Sequence, residues 1–535
     1  MLPEQWIAHD PDPVTAAELA GCTPDQLAAR FARPLTFGTA GLRGPMRGGP
    51  DAMNLAVVMR ASWAVARVLK TRGLAGSLVV IGHDARHNSA IFAAATAEVF
   101  AAEGFSILLF PDPVPTPVVA FAVRHTGAAA GVQITASHNP PTDNGYKVYF
   151  TGGLQIVSPV DRDIEAAMTT APLADQIART PVQPADTKLI DRYIARAASV
   201  RRASGSVRVA LTPLHGVGGL VAMETLRRAG FDNLHAVAAQ LAPDPDFPTI
   251  ASPNPEEPGT TDALLALAAD VDADIAIALD PDADRCAIGV PTPAGWRMLS
   301  GNETGWLLGD YLLSKTDKPA ASVVASTVVS SRLLAAIAAE YGARHVETLT
   351  GFKWLARADA DLPASTLIYA YEEAIGHCVD PAAVRDKDGI SAAVIACDLV
   401  AMLKTQGRSL PDALDELARR HGVHLGGAWS RTLTHADDAA ALMQRLRATP
   451  PTQLAGFTAT VTDLLQRHGD NQTDALILSG ADTDAWARVV VRPSGTEPKL
   501  KFYLEVGCAP TSNLPAAQQK AGALRDQLVA AVQRW

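Results

Sequence analysis

Cysteine is scarce in this 535-residue chain. The five present, Cys22, Cys286, Cys378, Cys397 and Cys508, are scattered, with no Cys-x-x-Cys pair. No disulfide framework is expected from such spacing, and reduced thiols in a cytoplasmic protein are the reading that fits. No apolar run approaches the ~20 residues needed to span a bilayer, so no membrane partner is expected. The start, Met1-Leu2-Pro3-Glu4-Gln5-Trp6, lacks a basic region followed by an apolar stretch, and no secretory signal is expected there. Positive charge is not in excess either. A net charge of −10 argues against non-specific nucleic-acid binding, although a small anionic substrate needs only a local positive pocket. Three common motifs are also missing. There is no Gly-x-x-x-x-Gly-Lys-Ser/Thr nucleotide loop and no Gly-x-Ser-x-Gly elbow. Gly216-Val217-Gly218-Gly219 lacks the last glycine of a dinucleotide fingerprint, because Val221 stands there, and reads as a strand-to-helix turn.

What is present is ordinary in bulk and unusual in order. Hydrophobic residues make up 48% and charged residues 19%, as in soluble globular proteins, and the length implies several domains. Three segments repeat one order of elements: apolar strand, polar turn, helix-like stretch, glycine, second strand. The first uses Leu78–Ile81, Gly104 and Ser106–Phe110. The second uses Val207–Leu211, Gly230 and Leu234–Val237, and the third Ser322–Ala325, Gly342 and His345–Leu349. Each glycine sits where a helix C-terminus belongs. Strands alternating with helices predict α/β domains with mixed, mostly parallel sheets.

Each repeat continues into a further apolar strand that ends in a polar loop. The loops are Ala136-Ser137-His138-Asn139-Pro140, Asp280-Pro281-Asp282-Ala283-Asp284-Arg285, and Glu372-Glu373-Ala374-Ile375-Gly376-His377. Ligands of open α/β sheets bind beyond the carboxyl ends of strands, so the three loops are candidates for one shared site.

Asp280, Asp282 and Asp284 alternate at the end of strand Ile275–Leu279 and can turn their oxygens to one point. Clustered carboxylates repel, and a hard cation such as Mg²⁺ or Ca²⁺ relieves that cost. An EF-hand is excluded, because its sixth and twelfth positions would be Arg285 and Pro291. A catalytic Mg²⁺ site completed by phosphate remains, with Arg285 beside it to hold phosphate oxygens. The plain alternative is a solvated acidic turn. Ser137 reads as a nucleophile or phosphate carrier, against a loop whose Ser and Asn make local backbone bonds. Asn144-Gly145 reads as a turn, and Lys147 after it as a proton donor or acceptor, against a solvated lysine. Gly38-Thr39-Ala40-Gly41-Leu42-Arg43-Gly44 lets backbone approach a ligand that Arg43 can hold. Glu372 and Glu373 suit sugar hydroxyls, and His377 is read as titrating in a useful range. Arg385-Asp386-Lys387-Asp388-Gly389 reads as a charged turn before a helix, in its plain form a solvated cap. From about Gly426 the repeat stops. Strand Arg488–Val491, turn Arg492–Pro498 and strand Lys499–Leu504 form either an anion cradle or a simple hairpin.

Each motif has an ordinary explanation, but their joint order resembles the α-D-phosphohexomutase family of phosphoglucomutases and phosphomannomutases. The likeness rests on residues 38–44, 135–140, 280–285, 372–376 and 492–498. It implies three similar α/β domains and a smaller C-terminal α+β domain around a central cleft. Their expected limits are 1–200 (phosphoserine), 201–300 (metal), 301–425 (sugar) and 426–535 (phosphate). It implies that Ser137 is the phosphoserine, and that Mg²⁺ is held by Asp280, Asp282, Asp284 and the Ser137 phosphate. Arg43, Lys147, His138 and Arg285 would assist transfer. Thr350, Gly351, Glu372, Glu373, His377 and Lys387 would face the sugar, and Arg492, Ser494, Gly495 and Thr496 would grip its distal phosphate. The expected activity moves phosphate between the 1- and 6-positions of glucose or mannose through a bisphosphate, which also serves as activator.

Tyr371 and Ala374 depart from the Gly-Glu-x-Ser of many hexomutases, and Gly351-Phe352-Lys353-Trp354 is similar to the branch that also holds phosphopentomutases and sugar-bisphosphate synthases. Those activities stay open, and His377 is similar to the histidine of dual glucose/mannose enzymes. Two rivals of other classes are a phosphatase with Asp280 as nucleophile, disfavoured by Asp284, and a non-catalytic sugar-phosphate sensor.

Overall fold

The computed structural model describes the chain apart from Met1, Thr39, Ala40, Thr187, Thr434, His435, His468, Asp470, Asn471 and residues 495–498, and apart from the side chains of Ala436 and Asp437. It divides into two compact units, residues 1–298 with 376–402, and residues 299–375 with 403–535.

The repeat predicted from the sequence is a repeat of topology. In the first sheet, Leu78–His83 lies between Ser106–Leu109 and Ala130–Ile134, all parallel. Asp143–Phe150 and then Leu42–Pro45 extend it antiparallel. In the second, Arg208–Thr212 lies between Asn233–Ala236 and Ile275–Leu279, again parallel, with Cys286–Thr292 and Gly295–Met298 antiparallel beyond. In the second unit, Ser322–Thr327 lies between Arg344–Thr348 and Thr366–Glu372, all parallel. Each time the first strand is central, the second is its outer neighbour, and the third ends in one of the polar loops.

Sequence explains the shared pattern. The strands Ala130–Ile134 and Ile275–Leu279 are buried at every position, as strands covered on both faces must be. Gly104, Gly230 and Gly342 follow their helices with φ of 85°, 85° and 70°. Cβ atoms at Gly104 and Gly342 would meet nothing within 4 Å, so left-handed backbone rather than space requires glycine there.

The last part of the second unit is a five-stranded sheet in the order Val423–Thr432, Lys499–Cys508, Ala485–Pro493, Leu476–Ala481, Thr460–Asp463, antiparallel throughout. Helix Leu514–Val532 buries Leu514, Ala521, Leu528 and Val532 in the same apolar core as Val489, Val491, Phe502 and Leu504. Among the described residues no single helix is long and apolar enough to cross a membrane.

Candidate active site

Strand Ala130–Ile134 runs out into Thr135, whose Oγ1 accepts the backbone N–H of Ser137 at 2.9 Å. That local bond turns the chain, and Ser137 takes φ 53°. A serine held in left-handed backbone carries a conformational cost and is over-determined by its surroundings. Its hydroxyl makes no local backbone bond. It donates instead to Asp280 Oδ2 at 2.7 Å, 143 residues away, and lies 3.2 Å from His138 Nδ1.

The second loop meets the first at that point. Asp280, Asp282 and Asp284 are fully buried, and ligand oxygens from all three lie within 4.8 Å of one another. The solvated acidic turn is therefore ruled out. Ala283 (φ 56°) returns its N–H to Asp280 O at 2.8 Å, which brings the three carboxylates to one side. The loop rests on the Gly216 turn. A Cβ there would stand 2.3 Å from Pro281 Cα, so Gly216 is required by close approach, and the neighbouring Val217 N–H donates to Pro281 O. The predicted strand-to-helix turn is thus the seat of the carboxylate loop.

Cations surround the cluster. Lys147 Nζ donates to Asp282 Oδ2 at 2.6 Å and Asp284 Oδ2 at 2.7 Å, and Lys387 Nζ lies 3.2 Å from Asp284 Oδ2. Arg285 Nε is 3.9 Å from Asp284 Oδ1 and 4.0 Å from Asp280 Oδ2. Burial would raise all three carboxyls. For Asp282 the charge and hydrogen bond of Lys147 outweigh it, and for Asp284 Lys147, Lys387 and Arg285 do, so both are held below the usual carboxylate range. Asp280 is driven the other way, well above that range, by burial and then by Asp282 and Asp284. Asp282 Oδ1 and Asp284 Oδ1 are buried with no hydrogen-bond partner among the described residues. Two orphaned carboxylate oxygens, and a third carboxyl whose ionised form is disfavoured by burial and by its two neighbours, fit a hard divalent cation.

His138 is half-buried. Burial, and then the charges of Arg285 and Arg43, hold its imidazole well below the ordinary histidine range, so it is neutral at pH 7. Arg43 lies on Leu42–Pro45, opposite Gly145, and its Nη1 reaches Asn139 Oδ1 at 3.3 Å. Six of the sequence-predicted catalytic and metal positions, Ser137, His138, Lys147, Asp280, Asp282 and Asp284, are therefore joined by direct contacts, with Arg43 and Arg285 beside them.

Three expectations are corrected, and two plain alternatives, a solvated Lys147 and a solvated cap at 385–389, are excluded. Asn144-Gly145 is not a turn but lies inside strand Asp143–Phe150, where Asn144 Nδ2 bonds His87 O and Ser89 Oγ. Lys147 is 1% exposed rather than solvated. The 385–389 turn is not a solvated cap: Asp386 accepts from Tyr149 and Gln155, and Asp388, bonded by Tyr193, caps the helix starting at Gly389 through the N–H groups of Ile390 and Ser391. Lys387, expected at the sugar, is buried against Asp284. His377, expected to titrate usefully, is fully buried, and burial lowers its imidazole to about 3.

That shift has a sign. Between pH 3 and 6.5 the unfolded chain binds a proton at His377 that the folded chain does not, so this contribution to stability is lost as pH falls. The Tm of a His377→Gln variant is expected to fall less steeply than that of the parent from pH 6.5 to 4.5, the difference corresponding to at most about 1.4 kcal/mol per pH unit. Parallel Tm profiles would show that His377 is not held neutral.

In the second unit, Glu373 Oε2 accepts from Thr327 Oγ1 at 3.1 Å and Ser330 Oγ at 3.0 Å, tying the third polar loop to the turn that follows strand Ser322–Thr327. Glu372 is buried at the end of its strand, and Gly351, after Thr350, takes φ 113° at the start of the short helix Phe352–Leu355. Tyr371 is core: its ring fills the space a Cβ on Gly305 would need, and its hydroxyl donates to Asn302 Oδ1 at 3.1 Å. Arg492 pairs with Lys501 across two antiparallel strands, and the Ser494 N–H donates to Lys499 O. Gly495 and Thr496 lie outside the described residues.

Sequence reasoning missed Thr116 and Arg86. The Thr116 Oγ1 donates to Asp282 Oδ2 at 2.5 Å and its N–H to Asp282 O at 2.9 Å, at the first residue of helix Thr116–Thr126. A threonine after Pro115 signals a helix start, but nothing local points to a partner 166 residues on.

Comparison with known proteins agrees with this geometry. The three α/β/α domain models of phosphoglucomutase/phosphomannomutase match residues 34–174, 191–294 and 300–421, and the C-terminal domain model matches 480–508. The chain is 41% identical over 468 residues to a protein named as a probable phosphomannomutase from Haemophilus influenzae, covering 85% of this chain and 93% of that one. It is 34% identical to the phosphopentomutase of Mus musculus, covering 99% and 93%. A crystal structure of a phosphoglucomutase/phosphomannomutase family protein from Burkholderia thailandensis superposes with a TM-score of 0.68 at 20% identity, covering 92% and 97%, a likeness of fold.

Proposed function

This chain belongs to the phosphoglucomutase/phosphomannomutase family and is an enzyme of the phosphomutase type, and we propose that it moves phosphate between the 1- and 6-positions of a hexose, glucose or mannose, with Ser137 as the carrier. The observation that supports this reading is the Ser137 hydroxyl, held in strained backbone and aimed at a buried three-carboxylate cluster.

In the proposed cycle the phosphoserine P–O bond breaks as a sugar hydroxyl oxygen bonds to phosphorus, which yields a sugar bisphosphate. The sugar hydroxyl loses a proton and the leaving Ser137 oxygen gains one, and His138, whose Nδ1 lies 3.2 Å from Ser137 Oγ, is placed to pass it on. In the second half the other phosphoryl of the bisphosphate returns to Ser137, whose hydroxyl proton passes to the released sugar oxygen. Free bisphosphate would activate by phosphorylating resting enzyme. Arg43, Arg285 and Lys147 bring positive charge to the region where phosphoryl oxygens gather, which is most of what phosphoryl transfer asks of a protein. A Mg²⁺ ion held by Asp280, Asp282, Asp284 and the Ser137 phosphate would supply the remaining charge neutralisation. Thr350, Gly351, Glu372 and Glu373 are assigned to the sugar, and Arg492, Ser494, Gly495 and Thr496 to the phosphate that is not reacting, whose anchoring would orient the substrate. The domain limits 1–200, 201–300, 301–425 and 426–535 are assigned on the same basis.

A pentose reading has its own support in the phosphopentomutase relative, and in Tyr371 and Ala374, which leave the sugar loop without the serine hydroxyl of many hexomutases. A panel of glucose, mannose, ribose and glucosamine 1-phosphates, with bisphosphate activator, is expected to give the highest kcat/KM for a hexose, by at least about tenfold. Highest kcat/KM on ribose 1-phosphate would replace the hexose assignment with the pentose one.

A further inference from the structure

The left-handed backbone at Ser137 needs something to hold it, and one side chain does. Arg86 follows strand Leu78–His83, the parallel neighbour of Ala130–Ile134, so the loops after the two strands leave the sheet side by side. Arg86 is 4% exposed. Its Nη2 donates to Ser137 O and to Asn139 O, both at 2.6 Å, and its Nη1 to Pro140 O at 2.7 Å and Asp143 O at 3.1 Å. Its Nε faces Asp84 Oδ2 at 3.4 Å, and its Cζ lies 5.2 Å from the centroid of the Phe247 ring. Asp84 is itself fixed by the Arg86 N–H at 2.9 Å and by Ser89 Oγ at 2.6 Å.

We propose that Arg86 is a positioning residue that shapes the Ser137 loop for phosphoryl transfer, by drawing four of its carbonyl oxygens onto one guanidinium. The inference rests on Ser137 being the phosphate carrier. Four carbonyl dipoles converging on one point repel, and a buried cation with a planar fork of donors compensates them. Every N–H of that fork has a carbonyl or carboxylate neighbour, so Arg86 acts on the loop and not on a substrate phosphate. A lysine keeps the charge but brings one nitrogen, which cannot span two pairs of carbonyls. Releasing the loop lets Ser137 relax toward ordinary backbone and turns its Oγ away from Asp280. Displacements of about 1 Å at a reacting atom cost on the order of 100-fold in rate.

The test compares Arg86→Lys with a matched control. Arg60 is also buried and donates to three carbonyls, those of Met168, Ala171 and Pro172, far in sequence from any site residue, so Arg60→Lys reports the structural cost of such a change. The readouts are Tm, kcat and KM for glucose 1-phosphate, and the single-turnover rate of labelling by glucose 1,6-bisphosphate. For Arg86→Lys the labelling rate and kcat are expected to fall together by about 100-fold, with KM within about threefold of the parent. Arg60→Lys, at a comparable loss of Tm, is expected to stay within about threefold in both rates. Asp84→Asn, which keeps Arg86 but weakens its anchor, is expected to shift kcat in the same direction by about tenfold. A labelling rate for Arg86→Lys within threefold of the parent, or an equal loss in Arg60→Lys, overturns the proposal. If Arg86→Lys does not fold, Asp84→Asn at parental rate overturns it. Label found on a residue other than Ser137 in the parent would instead overturn the carrier assignment on which the proposal rests.

Discussion

Ser137→Ala is expected to lower turnover by at least about 10⁴-fold, with the Tm changed little. The reason for the large effect is that the hydroxyl is the acceptor and donor of the phosphoryl group in both halves of the proposed cycle. The reason for the small structural effect is that the turn does not depend on that hydroxyl. The bond that closes it comes from the Ser137 N–H to Thr135, and the loop carbonyls are held by Arg86. Alanine at φ 53° is no worse than serine there. Incubation with sugar bisphosphate should add one phosphate to the parent by intact mass, and none to the variant. Parental turnover in Ser137→Ala would sink the carrier role, and parental turnover without phosphate uptake would favour direct transfer between bound sugars.

The second large effect concerns Asp280. Without a cation this carboxyl is the unfavourable member of the cluster, pushed up by burial and by Asp282 and Asp284. Asp280→Asn removes a repelling charge while keeping an oxygen that can accept from Ser137. The variant is therefore expected to be more stable than the parent in EDTA, by at least about 2 °C in Tm. In Mg²⁺ the order reverses. The parent should gain about 2.7 kcal/mol at a hundredfold excess of Mg²⁺ over its Kd, whereas the variant, with a carboxylate ligand lost, should gain little. Its turnover should fall by at least about 10³-fold. Mn²⁺ titration followed by electron paramagnetic resonance reads the metal directly. Equal Mn²⁺ affinity in the parent and Asp280→Asn would show that this carboxylate is not a ligand.

What the sequence made legible is what local pattern encodes. Apolar runs marked the nine strands of the three repeats to within two residues at either end, because both-faces-buried strands such as Ile275–Leu279 can hardly be anything else. The glycines after the helices were readable because left-handed φ excludes most residues. Ser137 and the Asp triplet were visible as polar residues launched from the carboxyl ends of equivalent strands. What stayed hidden is pairing across the chain. Lys147 finds Asp282 at a separation of 135 residues, and Arg86 finds the Ser137 loop at about fifty. Neither has a local mark that separates it from a solvated cation. Asn144-Gly145 misled because a turn dipeptide was overridden by tertiary pairing. Gly145 faces Arg43 across the sheet, where a Cβ would stand 2.5 Å from Thr135 O. His377 misled because histidine chemistry depends on solvent, and burial in this fold removes it.

The carrier assignment is tested most directly by finding which atom holds the phosphate. Enzyme labelled with glucose 1,6-bisphosphate would be quenched, digested and mapped by mass spectrometry, with half the sample treated with hydroxylamine. The expected result is one acid-stable phosphate on the peptide containing Ser137, unchanged by hydroxylamine. A hydroxylamine-labile phosphate on the peptide containing Asp280 would contradict it, and would make the carboxylate cluster a nucleophile rather than a cation site.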